Sequence, residues 1–188
     1  MVAGSQETHD GQHPRQREVQ MAEIQQKLTE ITRRALAQAN TPLHQAAAEG
    51  CSAVVRFLLE NGGDPNSYTV WGGRLSVAPL HLAANREVAE LLLTAGAQVN
   101  IRATGDPLTG YVNYTPLHYA VIGNRDRGVA EALLAAGADT EAREVLSGDT
   151  PLHLAVWSVE MIMLLLDHGA NPNGRRNDGQ TPLHLAYN

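Results

Sequence analysis

One six-residue phrase occurs five times: Thr41-Pro42-Leu43-His44-Gln45-Ala46, Ala78-Pro79-Leu80-His81-Leu82-Ala83, Thr115-Pro116-Leu117-His118-Tyr119-Ala120, Thr150-Pro151-Leu152-His153-Leu154-Ala155 and Thr181-Pro182-Leu183-His184-Leu185-Ala186. The copies start 31 to 37 residues apart. That period is too short for a domain and too regular for chance, so it predicts a linear stack of small units, each burying its apolar face on the next. Such a stack offers a long surface rather than an enclosed catalytic pocket.

The phrase has a local physical meaning. Thr is a helix N-cap whose hydroxyl accepts a hydrogen bond, and Pro fits the first helical position, where its missing N–H costs nothing. Leu43, Ala46 and Ala47, with their counterparts, face neighbouring helices, the alanines allowing close approach. A second helix is predicted from Val54-Val55-Arg56-Phe57-Leu58-Leu59, Val88-Ala89-Glu90-Leu91-Leu92-Leu93, Val129-Ala130-Glu131-Ala132-Leu133-Leu134 and Met161-Ile162-Met163-Leu164-Leu165-Leu166. Each ends at a glycine, Gly62, Gly96, Gly137 or Gly169, where a left-handed C-cap is expected. Short extended stretches follow, beginning at Asp64, Gln98, Asp139 and Asn171, and lead into loops that return to the next phrase.

The phrase and its spacing resemble the ankyrin-repeat family over residues 41–188. The resemblance implies an all-α ankyrin-repeat solenoid, built of stacked helix-turn-helix units with hairpin-like fingers. It also implies binding of another protein through the fingers and the concave helix face. Four full repeats are expected, starting near 41, 78, 115 and 150, with a partial fifth from 181. Residues 1–20 are polar without periodicity and are expected to form a disordered tail. Met21, Ile24, Leu28, Ile31 and Ala35 form a helical stripe, so residues 21–40 are expected to be a capping helix folded on repeat one. Because repeat five has no second helix, this end is expected either to mark a fragment or to contact something, including a second copy; a half-repeat cap is the bland alternative.

Two features depart from an even array. The fingers span residues 67–77, 101–114, 142–149 and 174–180, so the first two are the longest, and they carry Tyr68, Trp71, Tyr111 and Tyr114. Within the first, Thr69 to Val77 reads as a hairpin turning at Gly72-Gly73, with Trp71 and Arg74 side by side at its tip. The segments joining paired helices also differ: those of repeats two and four are shorter than that of repeat one, and that of repeat three is longer. By alignment the uneven concave surface exposes Ala48, Glu49, Asn85, Ile122, Trp157 and Ser158, with Tyr119 nearby. The expected partner-binding residues are therefore Tyr68, Trp71, Arg74, Tyr111, Tyr114, Tyr119, Trp157, Glu49 and Ile122, because Trp, Tyr and Arg dominate binding hot spots. Packing of the finger aromatics on one another is the competing structural role.

Chemistry is weak by comparison. Five of the eight histidines belong to the phrase; adjacent helices lie ~8 to 10 Å apart, too far for them to share a zinc ion bound at ~2 Å. They are expected to hydrogen-bond backbone between repeats. Cys51 and His44 lack a third group to orient them as nucleophile and base, and Gly72-Gly73 lacks the helix and lysine of a phosphate loop. No catalytic residue, cofactor or metal is expected. A net charge of −6 without a basic stripe argues against nucleic acid or an anionic membrane as partner. A single cysteine and the lack of a long apolar run suggest a cytoplasmic protein; secretion without a cleaved signal stays open. So do two other functions, an effector or inhibitor that blocks an enzyme and the ankyrin part of a longer multidomain protein.

Overall fold

A computed structural model describes residues 14–37, 41–71, 75–105, 113–122 and 126–186. The phrase opens a helix in every repeat: α2 (Pro42–Glu49), a 3-10 helix (Pro79–Leu82), α5 (Pro116–Ile122), α7 (Pro151–Leu154) and α9 (Pro182–Ala186). The second helices are α3 (Ser52–Glu60), α4 (Arg86–Thr94), α6 (Arg127–Ala135) and α8 (Val159–Asp167). Each of these four has nine residues. The shorter connections of repeats two and four are thus taken out of the first helix, not out of the joining turn. Asn85 and Ser158 already cap α4 and α8 with their side chains, accepting from Val88 N and Met161 N, so little chain is left for the preceding helix.

Small residues let the helices close up. Ala46, Ala47, Ala89 and Ala130 are fully buried among Leu80, Leu92, Leu117, Leu133 and Leu165, which form one continuous core along the array. Gly62, Gly96, Gly137 and Gly169 take φ of 87°, 91°, 85° and 84°, the left-handed caps expected from sequence.

The phrase histidines clamp repeat to repeat. His81 Nδ1 accepts from Ala78 N at 3.1 Å and His118 Nδ1 from Thr115 N at 3.1 Å. An accepting Nδ1 leaves the proton on Nε2, which donates to a carbonyl of the next repeat: Val77 for His44 (2.9 Å), Tyr114 for His81 (3.1 Å) and Asp149 for His118 (3.2 Å). His153 is equally buried, but its Nε2 has no hydrogen-bond partner among the described residues. Burial holds these imidazoles neutral, lowering the pKa of His81 and His118 to about 4 against the opposing pull of the carbonyls.

A second ladder runs along the finger bases. Asn66 Oδ1 accepts from Gln98 N (2.8 Å), Asn100 Oδ1 from Asp139 N (2.9 Å) and Glu141 Oε1 from Asn171 N (2.8 Å), each from the same position in its repeat. Beyond it, fingers one and two form a three-stranded antiparallel sheet of β1 (Thr69–Trp71), β2 (Leu75–Val77) and β3 (Thr104–Gly105), in that order.

The N-terminal helix corrects the sequence expectation. α1 spans Pro14–Ala37, so residues 14–20 are helical where a disordered tail was expected, and the helix is already formed before residue 21. Pro14 suits the first turn and the following Gln, Arg and Glu are good helix formers, but a turn that is polar all round leaves no periodic signal. Ile31 and Ala35 are buried on repeat one, whereas Val19 and Met21 are exposed. Only the C-terminal half of α1 caps the array. Residues 1–13 and 38–40 lie outside the described residues.

Candidate functional site

The sequence-predicted partner residues divide once placed in the fold. Tyr114 is 7% exposed; its ring stacks on His118 at 5.1 Å and meets Tyr119 edge-on at 6.1 Å. It is a spacer between repeats two and three, which corrects its assignment as a surface anchor. Tyr119 is half-buried, with its ring edge-on to His81 at 5.2 Å. Glu49 is also committed internally. Its Oε1 takes Arg34 Nη1 at 2.9 Å and Gln45 Nε2 at 2.7 Å, so it ties α1 to repeat one rather than forming a rim charge.

Tyr68 keeps 46% of its surface exposed while its hydroxyl donates to Arg102 O at 2.8 Å, bridging fingers one and two. Arg102 Nη1 continues the chain of contacts to Arg143 O at 3.1 Å in finger three. Trp71 contributes its backbone to β1; its side chain, like Arg74 and Tyr111, lies outside the described residues.

Ile122 and Trp157 stand at matching sequence positions. Each lies seven residues after the Thr that opens its phrase, in consecutive repeats whose first helices, α5 and α7, pack side by side. Ile122 is 41% exposed and Trp157 82%. α7 ends at Leu154, so Trp157 falls in the turn before α8 and no helix neighbour covers its ring. Exposed carboxylates flank the pair, with Asp126 capping α6 and Glu160 in the first turn of α8.

Sequence reasoning missed finger three. Glu144 is 3% exposed, and its carboxylate accepts from Leu146 N (2.7 Å), Ser147 N, Ser147 Oγ (2.5 Å) and Asp149 N (3.3 Å). Burial pushes its pKa up, but the Ser147 hydroxyl and the three backbone donors together outweigh it and hold the carboxyl below its ordinary value. Finger four braces the same turn, with Asn177 N on Ser147 O (2.8 Å), Asn177 Nδ2 on Leu146 O (3.0 Å) and Arg176 paired to Asp149 at 2.9 Å. The product is a rigid tip presenting Val145 and Leu146 to solvent. The signal was present: two adjacent apolar residues in a polar finger of ordinary length.

Other chemistry finds no geometry. His44 has both ring nitrogens engaged, by Thr41 and by Val77 O, and none is left for Cys51. Among the described residues no three His, Cys, Asp or Glu side chains converge on a point where a metal ion would sit. No helix among them is long and apolar enough to cross a membrane. An apolar hollow of about 310 Å³ lies between α8 and α9, lined by Leu152, Val156, Ile162, Leu166, Pro182 and Leu183.

Comparison with known proteins agrees with this architecture. The family model described as ankyrin repeats (3 copies) matches residues 19–103 and 117–188. The chain is 33% identical over 151 residues to the B-cell lymphoma 3 protein homolog of Mus musculus, covering 78% of this chain and 32% of that protein. It is 34% identical over 155 residues to the nuclear factor NF-kappa-B p105 subunit of Gallus gallus, covering 78% and 14%. It is 37% identical over 118 residues to the transient receptor potential channel pyrexia of Drosophila melanogaster, covering 61% and 11%. The chain therefore spans about a third or less of the length of these relatives.

Proposed function

The chain belongs to the ankyrin-repeat family, and from that premise we propose that it is a non-enzymatic module that binds another protein through its fingers and concave helix face. Ankyrin repeats are in general protein–protein interaction modules. One observation carries the reading for this chain: Ile122 and Trp157, at matching sequence positions of consecutive repeats, are large apolar side chains left exposed. An indole left in water forgoes the stabilisation that burial gives. A partner surface supplies it, and the half-buried Tyr119 and Leu154, at a shared earlier position of the same two repeats, extend the apolar strip.

The test is a paired capture. Protein recovered from source lysate by the native chain is identified by mass spectrometry, and its affinity is then measured for the native chain and for Trp157→Ala with Ile122→Ala. The double variant is expected to weaken binding by about 2 kcal/mol or more, the range of hot-spot residues, with thermal unfolding nearly unchanged. Equal affinity for both chains would remove this surface from the binding site. An effector or inhibitor that blocks an enzyme would use the same surface, and inhibition of the captured target by the native chain alone identifies that case.

Self-association is a second reading, favoured by the apolar hollow between α8 and α9, where Leu183 is exposed. A concentration-dependent dimer in light scattering that Leu183→Glu abolishes supports it, and a monomer at all concentrations removes it.

A further inference from the structure

Among the described residues, the sheet joining fingers one and two has an open edge: its order is β1-β2-β3, and β1 is paired on one side only. The register decides which of its groups face outward. Trp71 pairs with Leu75 with only residues 72 to 74 between them, and Thr69 pairs with Val77. A bridge that closes so short a connection exchanges its own hydrogen bonds, and in an antiparallel ladder bonded and non-bonded pairs alternate. Thr69 and Trp71 therefore bond to β2, while the N–H and C=O of Val70 point away from it. Ser76, opposite Val70, is consistent with this alternation, since it turns to its other neighbour and pairs with Thr104 of β3.

The side chains agree with the backbone. Tyr68 and Val70 lie two apart and share a face, 46% and 52% exposed, whereas Thr69 between them is 7% exposed on the opposite face. Natural edge strands are commonly blunted by being very short or by Lys, Pro or an inward charge. β1 is short, at three residues, but Thr69, Val70 and Trp71 include no Lys, Pro or charge. α1, the element nearest in sequence order on that side, packs on α2 and α3.

From the outward N–H and C=O of Val70 on this uncharged edge, beside the exposed Tyr68 and Val70 side chains, we infer that the partner contributes an extended segment that adds to β1 as a fourth strand. The inference rests on the reading of the chain as a protein-binding module and names the chemistry of the ligand. The segment has a free amide and carbonyl opposite Val70 and a β-branched or aromatic residue over Tyr68 and Val70. Strand addition extends a ladder that already runs across two fingers.

The experiment uses the full chain and a random 12-residue phage-displayed peptide library, with the enriched peptides synthesised as probes. In the unbound chain the Val70 amide should exchange with deuterium faster than those of Thr69 and Trp71. Saturating peptide should slow it by about tenfold or more, the factor expected for about 1.4 kcal/mol of protection. Methylating the peptide nitrogen opposite Val70 should abolish binding, as should Val70→Pro. Val70→Lys serves as a second variant should the proline disturb the hairpin, and Val70→Thr should retain binding. Enriched peptides that leave Val70 exchange unchanged overturn the inference, as does failure to enrich any peptide. Protection of Val70 that rises with protein concentration without peptide also overturns it, in favour of a second copy. If bound peptide or protein perturbs Ile122 and Trp157 but not Val70, strand addition falls and the binding-module reading stands.

Discussion

Replacing Glu144 with alanine tests whether one buried carboxylate organises the tip of finger three. Three backbone N–H groups, of Leu146, Ser147 and Asp149, lose their acceptor, whereas the Ser147 hydroxyl keeps Asp149 Oδ2 at 2.6 Å. Asp149 is buried, so its N–H is left without water or partner, a loss of about 1–3 kcal/mol. The donors of the exposed Leu146 and half-buried Ser147 regain water, so each forfeits only the net value of a bond, about 1 kcal/mol or less. Relief from burying the charge offsets part of this, leaving an expected cost of about 3 kcal/mol. With a urea m-value of about 2 kcal/mol/M, the midpoint should fall by about 1.5 M. Glu144→Gln keeps the shape and one acceptor oxygen and should lose about half as much. Amide exchange at Leu146 and Ser147 should accelerate before any change in α6 or α8, because the lesion is local. A midpoint shift below about 0.3 M, or unchanged exchange at both amides, would refute the claim that this side chain holds the finger.

Four further outcomes follow from the same geometry. Gly96→Ala should cost about 1–2 kcal/mol from backbone conformation alone, since φ there is +91° and an added Cβ meets no atom within 4 Å. Leu117→Ala, in the middle of the core, should cost about 2–5 kcal/mol by chemical denaturation. Ile31→Ala should detach α1 from repeat one at lower denaturant than unfolds the core, read by separate helical and core probes. Burial lowers the pKa of His81 and His118 to about 4, so the unfolded chain takes up protons first as pH falls below about 6.5, and stability present above that value is lost down to about 4. Between pH 7.5 and 5.5 the two rings together should cost about 3 kcal/mol, a drop that His81→Gln with His118→Gln should flatten.

The repeat phrase made the architecture readable because it encodes several physical requirements at once. Thr and Pro start the helix, the alanines set the packing distance, and the histidine links one repeat to the next. The left-handed glycines were equally plain, since L side chains are strained at that φ. What sequence could not reveal was how a given side chain divides its loyalty. Tyr114 and Tyr68 look alike in the long fingers, yet one ring is sandwiched against His118 and the other rests on the surface. Tyr68 is placed by a bond to Arg102, 34 residues on, whereas the Tyr114 ring meets His118 and Tyr119 only once α5 turns them towards it, and neither arrangement is reported by a local pattern. Glu144 reads as one more solvated carboxylate until the turn that wraps it is known. The start of α1 was missed for the opposite reason: residues 16–20 are exposed, so they leave no mark in the apolar pattern.

The second helices, uniform at nine residues, and the first helices, ranging from four residues to eight, show where an array of this kind can vary. α4 packs on the second helices of both neighbouring repeats, α3 and α6, so a change in its length would disturb the interfaces on both sides. A finger is held at its base and by its neighbouring fingers, outside the helical core. Finger two is twice the length of finger four, and doubling a loop costs only about 0.6 kcal/mol in closure entropy. A single added bond such as Ala103 N on Tyr114 O, at 2.8 Å, is enough to offset that. Enlarged fingers and shortened inner helices therefore alter the exposed face at almost no expense to the stack. β1, the tip at Val145 and Leu146, and Trp157 all project from segments outside the helical core.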